Sequence, residues 1–306
     1  MPNLKDIKLR IKSIKNTQKI TQAMKMVAAA KVKKAENAVK SARPFSDAIT
    51  TAFHKVYALT EGVASSGVSF SQAIENYPEL LSRRKIKTIG LLVVSSDKGL
   101  AGAYNANIVR KTISYIHSLK EQNKKVKLFI IGQKGINGLE EFCKKENIEI
   151  INTYVKVQEF TVSSANLIIE EMAEKFIDKE IDAIQILTTK FKTMLSYEPC
   201  VIDVLPILEQ SDQENTNKID PEMLFEPTPE AVLKKIIPMY LSNSIFQAIL
   251  EAQASELASR MTAMSNATNN ADDMIRTLTI DYNKARQGAI TQEISEVVSG
   301  ANALKG

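Results

Sequence analysis

LSNSIFQAILEAQASELASRMTAMSNATNNADDMIRTLTIDYNKARQGAITQEISEVVSGANAL, residues 241–304, runs without a proline and holds glycine only at Gly288 and Gly300. Apolar and small residues recur at Leu250, Ala254, Leu257, Met261, Met264, Ala271, Ile275, Leu278, Tyr282, Ala285 and Ala289. This alternating three-four spacing is that of a helix with one apolar seam. At 1.5 Å of rise per residue the helix is ~90 Å long, more than a small domain can cover. Most of the seam therefore calls for a partner helix or a partner protein.

The partner helix is read at the other end of the chain. From Asn3 to Val56 one heptad row is Leu4, Ile11, Gln18, Lys25, Val32, Val39, Ser46, Phe53. The other is Ile7, Ile14, Thr21, Ala28, Ala35, Ala42, Ile49, Val56. Heptads sustained this long point to a coiled coil. The first row is interrupted by Gln18, Lys25 and Ser46, and the alanines of the second let two backbones approach closely. The alternative is two separate amphipathic helices lying on a globular core. Pro44 is expected to kink the first helix or end it near Arg43.

Between the two helical ends the pattern changes type. Residues 61–84 lose periodicity and read as a connecting loop with a short helix around 72–77. TIGLLVVS, residues 88–95, is a continuous apolar run bounded by turn residues, the mark of a strand covered on both faces. Further strands are expected at 126–131, 148–155, 183–190 and 198–205, with helices at 104–120, 136–145 and 165–179. Ser163 or Ser164 is the expected cap of the last helix. Such alternation gives an open, mostly parallel, Rossmann-like sheet with helices on both faces. Residues 207–228 form an acidic, proline-punctuated linker, followed by a helix start with Thr228 as cap and Pro229 in the first turn. Pro238 is expected to kink that helix near Lys235. The division is thus residues 1–58, a coiled-coil helix; 59–206, the α/β domain with its preceding loop; 207–228, the linker; and 229–306, the long helix.

Composition narrows the function. With 306 residues and 44% hydrophobic residues, two domains and a real core are within reach. No apolar run approaches a membrane span, so direct membrane insertion is not expected, and the basic N-terminus lacks the apolar core of a secretory signal. Cys143 and Cys200 read as free thiols. His54 and His117 are too few and too far apart for a metal cluster. The net charge of +5 hides an asymmetry. Residues 1–43 carry 12 Lys/Arg against Asp6 and Glu36, while 207–230 carry seven acids against Lys218. A basic arm suggests nucleic acid, but its first aromatic is Phe45, so it offers no stacking platform. A solvated face or attraction to an acidic protein fits equally well.

A doubly wound sheet often binds nucleotides. Gly99 and Gly102 do not make GxGxxG, Gly132, Gly135 and Gly138 are also off pattern, and GxxxxGK[ST] does not occur. Tight strand-to-helix turns are the expected reading of both glycine sets. The sequence carries no Ser/His/Asp constellation, so no catalytic, cofactor-binding or metal residue is assigned.

The end of the long helix departs from its own pattern. Residues 289–304 carry charge only at Glu293 and Glu296, and the apolar phase slips by one residue through Ile290, Ile294, Val297, Ala301 and Leu304, as a stutter makes it. The long helix outlasts its partner, and its exposed apolar tip requires a protein socket.

Three stretches carry a family resemblance: ITQEISEVVSGANA at 290–303, NTQKITQAMKMVAAAK at 16–31 and SDKGLAGAYN at 96–105. With them the chain resembles the ATP synthase gamma-subunit family over essentially its whole length. It departs where that family commonly has Cys-Gly-Gly and this chain has Ala101, Gly102 and Ala103. The cysteine-bearing insert of light-regulated plastid forms is absent, so thiol switching is not expected. The resemblance implies a rotor shaft for the catalytic head of an F-type ATP synthase, a non-catalytic subunit that couples proton translocation to ATP synthesis or hydrolysis. It implies alternating alpha and beta subunits around the rod, and the epsilon subunit and membrane c-ring at the α/β domain. It places the chain peripherally on the cytoplasmic face of a bacterial cell membrane, without nucleic acid or cofactor. By motif, Arg260 and Gln287 match polar contacts to a catalytic-subunit loop, with Thr291 and Glu293 nearby. Met24, beside Lys25, matches a position where added charge spoils coupling.

Overall fold

In the computed structural model, which describes residues 4–64, 84–156, 160–206, 226 and 229–303, both chain ends are long helices. Helix α1 is Leu4–Ala64 and α5 is Pro229–Ala303. Between them run β1 (Thr88–Val94), α2 (Tyr104–Glu121), β2 (Lys125–Ile131), α3 (Gln133–Glu146), β3 (Glu149–Tyr154), α4 (Val162–Ile177), β4 (Ala183–Thr193) and β5 (Ser196–Leu205). The expected short helix at 72–77, the linker 207–228 and the Thr228 cap lie outside the described residues, save for Glu226, which is exposed. The chain divides into two units, Lys31–Ser259 and the pair Met1–Ala30 with Arg260–Gly306.

In the first unit the sheet order is β3-β2-β1-β4-β5. β1 is parallel to β2 and β4, β2 is parallel to β3, and only the β4–β5 hairpin is antiparallel. The strand read as TIGLLVV is central and buried from Ile89 onward, because layers cover both of its faces. Ile89, Leu91 and Val93 point to one layer, where Ile108 and Ile116 of α2 and Leu139 of α3 meet them. Leu92 and Val94 point the other way, toward Ile168, Met172 and Phe176 of α4.

That second layer also contains the long helices. Ile49, Phe53 and Val56 of α1 and Ile237, Tyr240, Leu241, Ile245, Ala248, Ile249 and Ala252 of α5 join the same core as Phe129, Ile131 and Ile186 of the sheet. Phe53 stacks on Tyr240 with ring centroids 4.6 Å apart. The expectation of a partner helix holds for the seam from Ala254 onward, where Val32 and Val39 of α1 meet Ala254 and Ala258; at residues 237–252 the sheet joins the contact as well. Over this stretch the sheet and α1 together surround α5, which is buried around most of its girth, Ser242, Asn243, Glu251, Ser255, Glu256 and Ser259 included. The alternative of two separate helices does not describe this stretch, since Asn243 of α5 donates to Ser46 of α1.

Neither proline ends its helix. α1 continues through Pro44 and α5 through Pro238, so α1 does not end near Arg43. Burial of Val39, Ile49 and Phe53 around Pro44, at ~1.5–3 kcal/mol for each large side chain, outweighs a proline cost of ~3 kcal/mol. Pro44 and Lys40 are both exposed, so water serves the carbonyl that the proline leaves without its donor. The cap of α4 is Thr161, not Ser163 or Ser164: its hydroxyl accepts from the Ser164 N–H at 3.4 Å. α3 begins at Gln133, three residues before its expected start, because Gly132 makes the turn at φ 96°. A side chain there would meet the Ser95 carbonyl oxygen at 2.5 Å, so the glycines serve close packing of strand and helix.

In the second unit α1 and α5 run antiparallel. The Gln18 amide donates to Asp272, and the Thr21 and Thr268 hydroxyls meet at 2.9 Å. Ile7, Ala28, Met264 and Ala271 are buried in the contact. Along α1 every position of the two heptad rows is buried or half-buried. Two of the three interruptions are thereby explained: Gln18 finds Asp272, and Ser46, in the first unit, accepts from the Asn243 amide at 2.8 Å.

Candidate functional site: a clamped helix and a bare tip

The residues singled out by motif fall in two places. Met24 and Lys25 of α1 and Arg260 of α5 are half-buried, whereas Gln287, Thr291 and Glu293 are exposed. With Thr21 opposite Thr268, equal rise puts Met24 opposite about residue 265, roughly 8 Å along the axis from Arg260. Gln287 lies some 40 Å further along the same helix. One contact with a single loop cannot include both Arg260 and Gln287. Thr291 donates to the Gln287 carbonyl at 2.9 Å, and the Gln292 amide to Glu296 at 2.9 Å, so these three side chains are tied within their own helix.

The partner helix runs out before α5 does. With Gln18 opposite Asp272, the same register sets Leu4 opposite about Arg286. The half-buried stripe of Ile275, Leu278, Tyr282, Ala285 and Ala289 ends there, and every residue of 290–302 is exposed. Ile290, Ile294, Val297 and Val298 show 47%, 59%, 71% and 52% of their surface. Gln287, Thr291, Ile294 and Val298 follow one stripe; Ile290, Glu293 and Val297 follow another. A largely apolar helical surface of this kind, charged only at Glu293 and Glu296, is a contact surface for a partner.

In doubly wound sheets a ligand sits beyond the carboxyl ends of the strands, where the connections change face. Here α2 and α3 cover one face and α4 the other, so that point lies between β1 and β4. α5 is packed into it. The Ser259 hydroxyl donates to the Ala101 carbonyl at 2.7 Å and accepts from the Tyr197 hydroxyl at 2.9 Å. Thr188, midway along β4, donates to the Ala248 carbonyl of α5 at 2.9 Å. The first glycine loop is thus a seat for a helix.

One cluster was not singled out from sequence. The Arg43 Nε donates to Glu251 at 3.1 Å, and its Nη2 to the Phe191 carbonyl at 2.6 Å. The other Glu251 oxygen accepts from the Phe191 N–H at 3.1 Å, and the Gln247 amide donates to the first at 3.0 Å. The Phe191 ring is buried among Val32 and Val39 of α1 and Ala254 and Ala258 of α5. Glu251 is itself buried. The signal was a carboxylate inside an apolar stretch, which calls for a cationic partner.

Elsewhere the charges serve the scaffold. Lys127 meets Glu149 and Glu180 at 3.1 Å each, and Lys175 meets Glu180 at 2.7 Å. Hydrogen bonds from Lys175 and then Lys127 hold the Glu180 carboxyl below the usual carboxylate range. Burial pushes the Cys143 thiol up to about 11. Among the described residues no cluster of three or more His, Cys, Asp or Glu is placed to hold a metal ion, and no helix is long and apolar enough to cross a membrane.

Known proteins share this arrangement. A family model described as ATP synthase matches residues 3–304. The ATP synthase gamma chain of Synechococcus sp. (strain JA-3-3Ab) is 39% identical over 329 aligned positions, covering 99% of this chain and all of the relative. That of Gloeothece citriformis (strain PCC 7424) is likewise 39% identical, at the same coverage. Among solved structures, a chain of the Tetrahymena thermophila mitochondrial ATP synthase central stalk and c-ring has a TM-score of 0.58 at 27% identity, over 81% of this chain and 99% of that one. A chain of the Euglena gracilis mitochondrial ATP synthase in rotational state 3 has a TM-score of 0.65 at 18% identity, over 98% and 94%, which speaks for the fold. The fold, two long helices with a mostly parallel sheet inserted between them, is of the central-stalk class. The chain belongs to the ATP synthase gamma-chain family.

Proposed function

We propose that the chain is the rotor shaft of an F-type ATP synthase. It transmits torque between a membrane ring driven by ion flow and a catalytic ring of alternating alpha and beta subunits, and it is a non-catalytic member of that complex. The observation that carries this is the bare tip: residues 290–302 are exposed throughout, display four large apolar side chains and coincide with the family's C-terminal motif. A socket in the catalytic ring gives that surface its cover. As the shaft turns, its asymmetric contacts favour an open or a closed state of each surrounding site in turn, a population shift driven by differential contact. Each charge crossing the membrane supplies about 2.3 kcal/mol per 100 mV, so the shaft has to carry several crossings to one synthesis event without slipping.

The helices of residues 1–58 and 229–306 serve as the shaft, and residues 59–206 as the body that docks on the c-ring and the epsilon subunit, with 207–228 as the link. Arg260, Gln287, Thr291 and Glu293 contact the catalytic ring in two tiers, since Gln287 and Arg260 are some 40 Å apart along the helix. Met24 and Lys25 lie on the opposing helix near the Arg260 tier. The basic outer face of α1, with Lys5, Lys8, Arg10, Lys12, Lys15 and Lys19 all exposed, suits acidic loops of that ring. The complex stands on the cytoplasmic side of a bacterial cell membrane.

Co-expression with alpha and beta subunits tests the reading. A stable complex containing this chain, with nucleotide hydrolysis confined to the assembled form, is expected. Steady ATP turnover by the pure chain, or no complex under conditions where the two rings assemble, overturns it.

A further inference from the structure

We propose that Arg43, Glu251 and the main chain of Phe191 form the key that locks the two helices to the α/β body against turning. The inference rests on the shaft reading and names the residues that carry its load.

A helix packed in an apolar groove resists withdrawal, but rotation about its own axis is resisted weakly. Apolar burial is non-directional, and small residues leave a smooth surface. Ala254 and Ala258 present such a surface to the β4–β5 hairpin. Directional, charge-assisted hydrogen bonds supply what packing lacks.

The geometry places those bonds at one residue of the sheet. Phe191 inserts its ring among residues of both helices, and its peptide groups are taken by a side chain from each. Its carbonyl accepts from Arg43 of α1 and its N–H donates to Glu251 of α5. Arg43 and Glu251 then pair with each other, Nη2 and Nε both lying 3.1 Å from the same oxygen. The result is a closed ring of three elements. Neither helix can turn relative to the strand without breaking bonds to a buried carboxylate, and a carboxylate left buried without its cation is heavily penalised. The ties from Asn243 to Ser46 and from Thr188 to the Ala248 carbonyl each join two elements through neutral groups, and Ser259 joins α5 to Tyr197 and the Ala101 carbonyl without reaching α1. The planar fork of Arg43 holds two acceptors in one fixed geometry, where a lysine offers a flexible point charge. These are positioning residues.

The test uses whole ATP synthase carrying Arg43→Met, held by its catalytic ring with a probe on the α/β body. The readout is the angular variance of the probe while the catalytic ring is paused, together with proton pumping per ATP hydrolysed in vesicles. The expected result is an angular variance raised by about twofold or more and a lower pumping ratio, with hydrolysis retained. Arg43→Lys keeps the charge without the fork and falls between parent and Arg43→Met. Where Arg43→Met does not assemble, Glu251→Gln, which keeps the shape and an acceptor for the Phe191 N–H, is read in the same way. Assembled variants with parental variance and parental pumping overturn the key, even when their melting temperature falls, since that is the outcome of a merely structural role. Failure of the unsubstituted chain to join alpha and beta subunits overturns the shaft reading instead.

Discussion

Thr21 and Thr268 face each other across the two terminal helices, hydroxyl to hydroxyl at 2.9 Å, within a seam that is otherwise largely apolar. Each also donates to a carbonyl of its own helix in the available geometry, Thr21 to Gln18 at 3.0 Å and Thr268 to Met264 at 2.8 Å. Either hydroxyl therefore has an outlet when the other is removed. Thr21→Val and Thr268→Val should each cost about 1 kcal/mol or less, and the double substitution should cost less than their sum. Urea unfolding of the four proteins measures both quantities; strict additivity would show that the pair is not coupled.

Met24 is half-buried on α1 beside Lys25, near the level of Arg260. Met24→Lys brings a second charge into a contact that already holds one. It is expected to uncouple proton flow from ATP synthesis while hydrolysis persists. ATP made per proton translocated, compared in variant and parent vesicles, decides the point, and equal ratios refute it.

Every described residue of the tip, 290–302, is exposed. Ile294→Asp and Val297→Asp alter side chains that show 59% and 71% of their surface. The stability of the isolated chain should change by no more than about 0.5 kcal/mol, whereas hydrolysis by the assembled complex should fall. A large loss of stability in the isolated chain would mean that the tip is packed after all.

The two thiols differ in burial. Cys143 is buried in the α3 layer, and burial pushes it up to about 11, so it stays protonated and slow to react near neutral pH. Cys200 is only half-buried on β5, and burial raises it as well. Disulfide reagent should label Cys200 first in the native protein and both at equal rates in denaturant. Faster native labelling of Cys143 would contradict the packing around α3.

Acid stability carries the mark of Glu180. Its folded-state carboxyl lies below the reference value of 4.5, held down first by Lys175 and then by Lys127. A depressed carboxyl contributes stability that is fully present above its unfolded value and is lost as pH falls through the folded one. Glu180→Gln should therefore flatten the fall in stability below pH 4.5 and leave its shape above pH 6 unchanged. Stability curves of variant and parent that stay parallel through the acid range would exclude this contribution.

The fold was legible where periodicity alone decides it. The heptad rows of α1 name every seam position correctly, because contact on one side of a helix leaves a 3.5-residue trace whatever the partner is. The central strand was legible because two covering layers erase polar alternation. Pro44 does not end α1 because local preference at one residue is smaller than the burial of its neighbours. Within residues 241–259 the seam was too narrow a description, since the helix meets sheet, hairpin and helix at once and its buried serines and glutamates find partners distant in sequence. Glu251 and Arg43 lie 208 positions apart, and no local pattern joins them. Of the candidate site, the bare tip showed in the phase slip after Ala289. The separation of Arg260 from Gln287 required only the rise of the helix between them.

Ser259 has one more consequence. By seating the long helix over the loop at Ala101, it fills the cleft that other doubly wound sheets leave open to phosphates. The sheet has exchanged chemistry for grip: the place where a ligand would sit is taken by the chain's own helix.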